Sequence, residues 1–210
     1  MEKAYKNTGY FMLLLIPLVI LGFYKTYFSQ FPDFNEKITL FHHLHALIAS
    51  VWILTLISQP LLIRFKRYKT HKIIGKFTYV IFPLLILSFG PMILRNLNSD
   101  HPLNAFFSIA DCTLLILFYL LAVYNKKNTP KHMRYMIGAA IVFLGPTIGR
   151  IGPILIGLSE KVTQNIQYGI IYLILLGSIL LDLKHGKKFR PYMLIFAGWI
   201  VHQITFNLIF

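Results

Sequence analysis

Acidic residues are scarce in this chain. Seven Asp and Glu stand against 21 Lys and Arg in 210 residues, and only 13% of the chain is charged. Soluble domains carry about 25% charged residues, so this composition argues against a water-filled surroundings. Cysteine is scarcer still. Cys112 is the single one, which excludes an internal disulfide, a Cys-x-x-Cys redox pair and a thiolate metal cluster. A lone thiol within an apolar run is expected to be inert packing. No Walker loop, dinucleotide fingerprint or Ser-His-Asp order is found, so soluble-cofactor enzymology is not expected.

Hydrophobic residues are plentiful, at 56% of the chain, and the mean hydropathy is +0.63. An apolar helix needs about 20 residues to cross a ~30 Å hydrocarbon layer at ~1.5 Å per residue. Seven runs of this kind are read at 10–28, 40–63, 73–94, 103–124, 133–151, 166–183 and 191–210. Little chain remains outside them. The expected fold is an all-α polytopic transmembrane bundle, one domain over 1–210. The first run has a basic start but no small-residue cleavage site, so it is read as an anchor and not as a signal peptide.

Charge sets an expected orientation. Sixteen of the 21 Lys and Arg fall at one end of the runs: Lys3 and Lys6, Arg64 to Lys76, Lys126 to Arg134, and Lys184 to Arg190. The other end holds Lys25, Lys37, Arg95, Arg150 and Lys161. The positive-inside rule makes the first group cytoplasmic, with the N-terminus inside and the C-terminus outside a bacterial inner membrane. The net charge of +14 is then a topology signal that meets anionic headgroups, and nucleic acid is not expected as a partner. The expected partners are the lipid bilayer and, for a redox protein, an electron-transfer partner or other subunits of a membrane complex.

The connections are short. Residues 29–39 and 152–165 form the longest on the less basic side, and Ile154-Leu155-Ile156 in the second suggests a segment lying along the interface. Asn128-Thr129-Pro130 and Gly186-Lys187-Lys188 read as turns. A weak repeat relates 40–95 to 103–150: Gly90-Pro91 precedes Arg95 as Gly145-Pro146 precedes Arg150. Gly138, Gly145, Gly149 and Gly152 would let another helix approach the fifth run closely.

Histidine carries the chemical interest. His45, Trp52 and Gln59 follow one another at seven-residue spacing, nearly two helical turns, and so share one face. Polar groups on an apolar helix are costly in lipid and must face protein, water or a bound group. His71, His101 and His132 stand at the starts of later runs, and His202 lies within the last, beside Gln203. Neutral imidazoles from two helices can hold haem b, so His45 with His202 or His101 at one end, and His71 with His132 at the other, form the leading redox reading. Trp52 and Gln59 would line the space between. The alternative is a Zn or Fe ion. His42 and His45 lie at i and i+3, and Asp111 and His202 stand at similar depth; with an open water position such an ion could hydrolyse or oxidise a lipid-like substrate. A third reading is non-catalytic: a membrane subunit or transporter component, in which Asp111 pairs with Arg95 or Arg150, or Gly-Pro pairs at 90, 145 and 152 break helices around a pathway.

Two resemblances follow from these residues. The order His42-His43-x-His45, Trp52, Gln59, basic 64–69, His71-x-x-x-Gly75, with the later His132 and Arg150, resembles a family of bacterial multi-spanning membrane proteins to which no activity attaches; it implies a shared fold. The histidines at alternating ends of 40–150 resemble, in layout, the transmembrane di-haem b cytochromes that reduce ferric iron, which implies haem ligation and electron transport. The metal reading resembles the seven-span hydrolases of the progestin-receptor and alkaline-ceramidase type.

Overall fold

The computed structural model describes residues 2–210. They fold into helices with no strand among the described residues, and seven of the helical segments are long and apolar enough to cross a membrane. Their bounds are Lys3–Phe23, Leu40–Arg64, Tyr68–Leu97, Pro102–Tyr124, Thr129–Ile156, Glu160–Lys184 and Arg190–Ile209. The first span holds α1 (Thr8–Met12) and α2 (Leu15–Phe23); the second and third are α3 (Leu40–Arg64) and α4 (Tyr68–Leu97). The fourth holds α5 (Ala105–Tyr124). The fifth is divided into α6 (Thr129–Ile141), α7 (Leu144–Arg150) and a π-helical turn over Ile151–Ile156. The last two are α8 (Glu160–Lys184) and α9 (Arg190–Ile209).

The helices reach further than the apolar runs alone predict. The third span begins at Tyr68, so His71 lies in its first turn, and the fifth begins at Thr129, so His132 lies in its first turn. The first span ends at Phe23, short of the expected 28. The expected interfacial loop at 152–165 is largely helix. Ile154, Leu155 and Ile156 continue the fifth span, Gly157 ends it with φ 78°, and the Ser159 hydroxyl accepts the Val162 N–H to start α8. Only three residues are then left between spans. Asn128 caps α6 by accepting the Lys131 N–H, and Gly186 adopts φ 63°, as the turn readings required.

The fifth span sits at the centre. Half of it is buried, against 17–33% of each other span. α6 packs on α5 and α9, and α7 packs on α2 and α8. Small residues make this possible. A side chain at Gly138 would strike Ile195 of α9, one at Gly152 would strike Thr163 of α8, and one at Gly22 would lie 2.9 Å from the Thr147 backbone of α7. Gly145-Pro146 lies just past a break in the helix: Phe143 and Gly145 donate to the carbonyls of Ala140 and Val142, three residues back. Proline has no N–H for the fourth-back bond, so the ladder tightens there. The other Gly-Pro pairs behave differently. α4 runs unbroken through Pro83 and Pro91, and Gly152-Pro153 sits within the π turn.

Large apolar side chains face outward, Leu87 at 71% and Leu173 at 72% exposure among them. That would be unsound in water and is ordinary in lipid. Inside, Leu115, Phe118, Ile171, Leu175 and Ile195 fill the middle of the bundle.

At the basic end an ion pair joins the spans. Arg134 of α6 donates through Nε to Asp182 of α8 at 2.7 Å, a second guanidinium nitrogen reaches the other Asp182 oxygen, and the same nitrogen meets Glu2 at 2.8 Å. Tyr5 donates to Asp182 at 2.7 Å. Both members of the central pair are buried. Removing one partner leaves an uncompensated buried charge, which costs about 3–5 kcal/mol. Asp182→Leu is therefore expected to lose stability of that order, and Arg134→Met with Asp182→Leu to recover most of it. Thermal melting followed by a thiol-reactive dye on buried Cys112 measures both; equal stability of Asp182→Leu and wild type would contradict the assignment.

Candidate functional site

Asp111 stands on α5, His202 on α9, and the polar series Thr163, Gln164, Gln167 and Tyr168 on α8. All belong to the half of the bundle away from the basic loops. Gly145 of α7 makes the meeting possible. Its missing side chain would lie 2.9 Å from Asp111 Oδ2 and 3.4 Å from Gln167 Nε2, so the fifth span has no side chain between them. Tyr168 OH and His202 Nδ1 share a hydrogen bond of 2.8 Å. The other imidazole nitrogen faces Asp111 Oδ1 at 3.5 Å. A charge-assisted bond would be about 2.7–2.9 Å, so no closed ion pair forms.

The polar atoms of this cluster are unsatisfied. Asp111 Oδ1, His202 Nε2, Gln167 Oε1, Gln164 Nε2 and Thr163 Oγ1 are buried without a hydrogen-bond partner. Buried polar groups are paired in the great majority of cases, and an unpaired one costs about 1–3 kcal/mol. Five on three spans form a concentration, and Asp111, Gln167 and Thr163 among them lie against the glycines of the broken fifth span. Asp111 Oδ1 has only the distant His202 Nε2, Gln167 Oε1 has no donor, and the Gln164 amide nitrogen has no acceptor.

The metal set expected from sequence is not assembled. Among the described residues no group of three His, Cys, Asp or Glu side chains could hold a metal ion. Asp111 and His202 do approach each other. His42 instead completes a capping box at the start of α3, its Nδ1 3.1 Å from the Thr39 N–H. His45 turns to α4, with Nδ1 2.8 Å from Ser88 Oγ. The Ser88 hydroxyl donates to the Leu85 carbonyl at 2.6 Å, so His45 Nδ1 is the donor and Nε2 keeps the lone pair.

The residues of the expected outer haem pair have the following surroundings. His202 spends one nitrogen on Tyr168 and turns the other to Asp111, and His101 is an exposed residue in the loop before α5. At the basic end His132 Nδ1 lies 2.8 Å from the Ala122 carbonyl, leaving Nε2 free. His71 Nδ1 and Gln59 Nε2 are buried without partners there.

The polar stripe on α3 does not line a continuous interior. Trp52 is fully buried against Phe82 and Tyr119, whose rings stack on each other at 3.8 Å. Aromatic packing thus separates His45 at one end from Gln59 at the other. Gln203 ties α9 to α8, accepting from Tyr172 at 2.6 Å and donating to Asn165 at 3.4 Å. His43 pairs with Tyr27 at 2.7 Å; burial pushes the Tyr27 phenol above its ordinary value, so it stays protonated and donates. Arg150 meets neither Asp111 nor any other carboxylate within 4.0 Å among the described residues. It folds back one turn, donating to the Pro146 carbonyl at 2.8 Å, with its guanidinium 4.4 Å from the centre of the Phe23 ring.

Sequence reasoning named Asp111 and His202 but missed their α8 partners. The signal was present: Thr163-Gln164 and Gln167-Tyr168 are four apart, one helical turn, within an apolar span. No family model, curated protein or solved structure shows a significant match to the chain.

If Gln167 serves an occupant and not the fold, its amide is a burden in the empty protein. Gln167→Leu is expected to raise the stability of the purified protein by about 1 kcal/mol, or about 2–4 °C in melting temperature. A loss of similar size would show that the amide holds the bundle together.

Proposed function

We propose that this protein binds a small cation or a hydrogen-bond-donating cationic group within the membrane, at the break in its fifth span, and acts as a transporter or transporter component. One observation carries the reading: the Asp111 carboxylate, with no cation nearer than His202 at 3.5 Å, meets the Gln167 amide at Gly145 beside the broken helix ladder, and the amide oxygen, turned toward Gly149, is unpartnered. Broken helices at membrane depth are tolerated where they line a site, and they place ion-binding groups near the midplane in transporters. A carboxylate inside a span is itself a marker of an ion or substrate pathway. The aromatic and aliphatic layer beneath, from Trp52 to Ile195, closes the site from the basic face. By the positive-inside rule that basic face is cytoplasmic, which puts the site on the outer side of this layer.

The test is a melting series in choline chloride with Na⁺, K⁺, ammonium, Mg²⁺ or Ca²⁺ substituted at constant ionic strength. At least one cation is expected to raise the wild-type melting temperature, because a ligand that binds only the folded state stabilises it. Asp111→Asn should lose that increment while still folding. A wild type indifferent to every cation, or an Asp111→Asn variant that responds equally, would sink the reading.

A second reading rests on the basic end. His132 has its Nδ1 tied to a carbonyl, the arrangement that orients metal-ligating histidines, and His71 is its partner in a bis-imidazole set for haem b or a metal ion. The group would supply one-electron redox chemistry, and the Trp52–Phe82–Tyr119 stack would hold it at the shallow, basic side. An absorption spectrum of detergent-purified protein with a Soret band that disappears in His132→Ala is the expected result; its absence in wild type excludes haem.

A further inference from the structure

A recess of about 400 Å³ opens between the start of α3 and the end of α4, on the face away from the basic loops. Its polar wall is Lys37, His42 and Arg95, and its apolar wall is Phe41, Pro91 and Met92. None of these takes part in the site at Asp111.

The hydrogen bonding in this recess is incomplete in a specific sense. The Thr39 backbone N–H can only donate, and it lies 3.1 Å from His42 Nδ1. Nδ1 therefore holds the lone pair, and in the neutral ring the proton sits on Nε2. Arg95 Nη1, which also can only donate, lies 3.2 Å from that Nε2. Two donors thus face each other with no acceptor between them. Arg95 finds a weak acceptor in the Lys37 carbonyl at 3.4 Å. Glu36 also lines the recess, yet among the described residues it forms no ion pair. The contrast with Arg134, which meets two carboxylates, is sharp. Arg95 and Lys37 are cations without a counter-ion, and the ring N–H of His42 faces the first of them.

We propose that this recess binds an oxyanion, a phosphate or carboxylate group, between His42 Nε2–H, Arg95 and Lys37. One anionic oxygen accepts from both opposed donors, and a guanidinium fork suits a planar or tetrahedral oxyanion. The apolar wall of Phe41, Pro91 and Met92 accommodates the body of an amphiphile below such a headgroup. The shared chemistry has two sources, a lipid headgroup or a free anion from solution, and the experiment separates them.

Purified protein in an uncharged detergent is melted with a thiol-reactive dye on Cys112. One arm adds sodium phosphate or sodium acetate at constant sodium and ionic strength, with chloride as the replacement anion. The other adds phosphatidylglycerol against phosphatidylcholine in mixed micelles. Wild type is expected to gain roughly 5–10 °C at a hundredfold excess over Kd in at least one arm. A gain in the lipid arm alone assigns a headgroup; a gain with phosphate or acetate assigns a free anion. Arg95→Gln should weaken the response at least tenfold in concentration, and Lys37→Gln should weaken it less. Lys188→Gln, in a basic loop, should leave it unchanged. Arg95 is exposed, so its replacement leaves the core intact. No gain in either arm, or an equal gain in Arg95→Gln, overturns the proposal; the second result would assign the anion to the basic loops.

Discussion

Contact between the fifth span and its neighbours fixes where the other helices stand. At Gly138, Gly152 and Gly22 the space for a side chain is already taken by Ile195, Thr163 and the Thr147 backbone. Helices in lipid gain no hydrophobic energy from association, because the tails are as apolar as leucine. What holds them is dispersion over close surfaces and whatever polar bonds cross between them. Small residues on the central span bring α2, α8 and α9 close enough for both. The break after Ile141 follows from the same stretch, since Pro146 removes an N–H where the chain is already surrounded by protein that can tolerate the loss.

Three charges lie within or beside this span, and they are treated differently. Arg134 is matched by Asp182 and Glu2 and locked by Tyr5. This cluster joins the N-terminal segment, α6 and α8 at the basic end. Asp111 and Arg150 have opposite signs and similar depth, yet they do not pair; Asp111 faces Gly145 toward α8 and α9, and Arg150 folds toward Phe23 of α2. Mutual neutralisation would be the cheapest arrangement in a medium where an uncompensated charge costs several kcal/mol. A fold that keeps them apart while matching Arg134 fully can satisfy buried charges. The groups it leaves open are therefore the ones to which binding is best assigned.

The spans were legible because twenty apolar residues in a row have few other solutions. Their ends were less so. Hydropathy marks where the chain is apolar, whereas helices continue into polar residues wherever a cap is available, as Asn128 and Ser159 show. That is why His71 and His132, read as lying at or before helix starts, fall within first turns. Asp111 and His202 were visible as polar residues at matching depth. Their partners on α8 were not, because spacing along one helix cannot say which neighbour it faces. The Arg134–Asp182 pair was hidden for the same reason: its members are 48 residues apart, and both looked like ordinary residues near a basic end.

The stripe of His45, Trp52 and Gln59 shows how a correct periodicity can support a wrong picture. All three do lie on the protein-facing side of α3, as seven-residue spacing requires. The inference to a continuous polar interior fails at Trp52, whose indole is enclosed by Phe82 and Tyr119. An amphipathic aromatic fits a dry core as readily as a wet one, so its presence between two polar residues carries no information about water. What results is two polar compartments separated by an aromatic layer. That separation is what a pump or carrier needs when its site is open to one side, and it is also what insulates two charged regions in a passive subunit. The difference lies in whether the layer can part, and the break between α6 and α7 supplies a place in the central span where the backbone ladder is already interrupted.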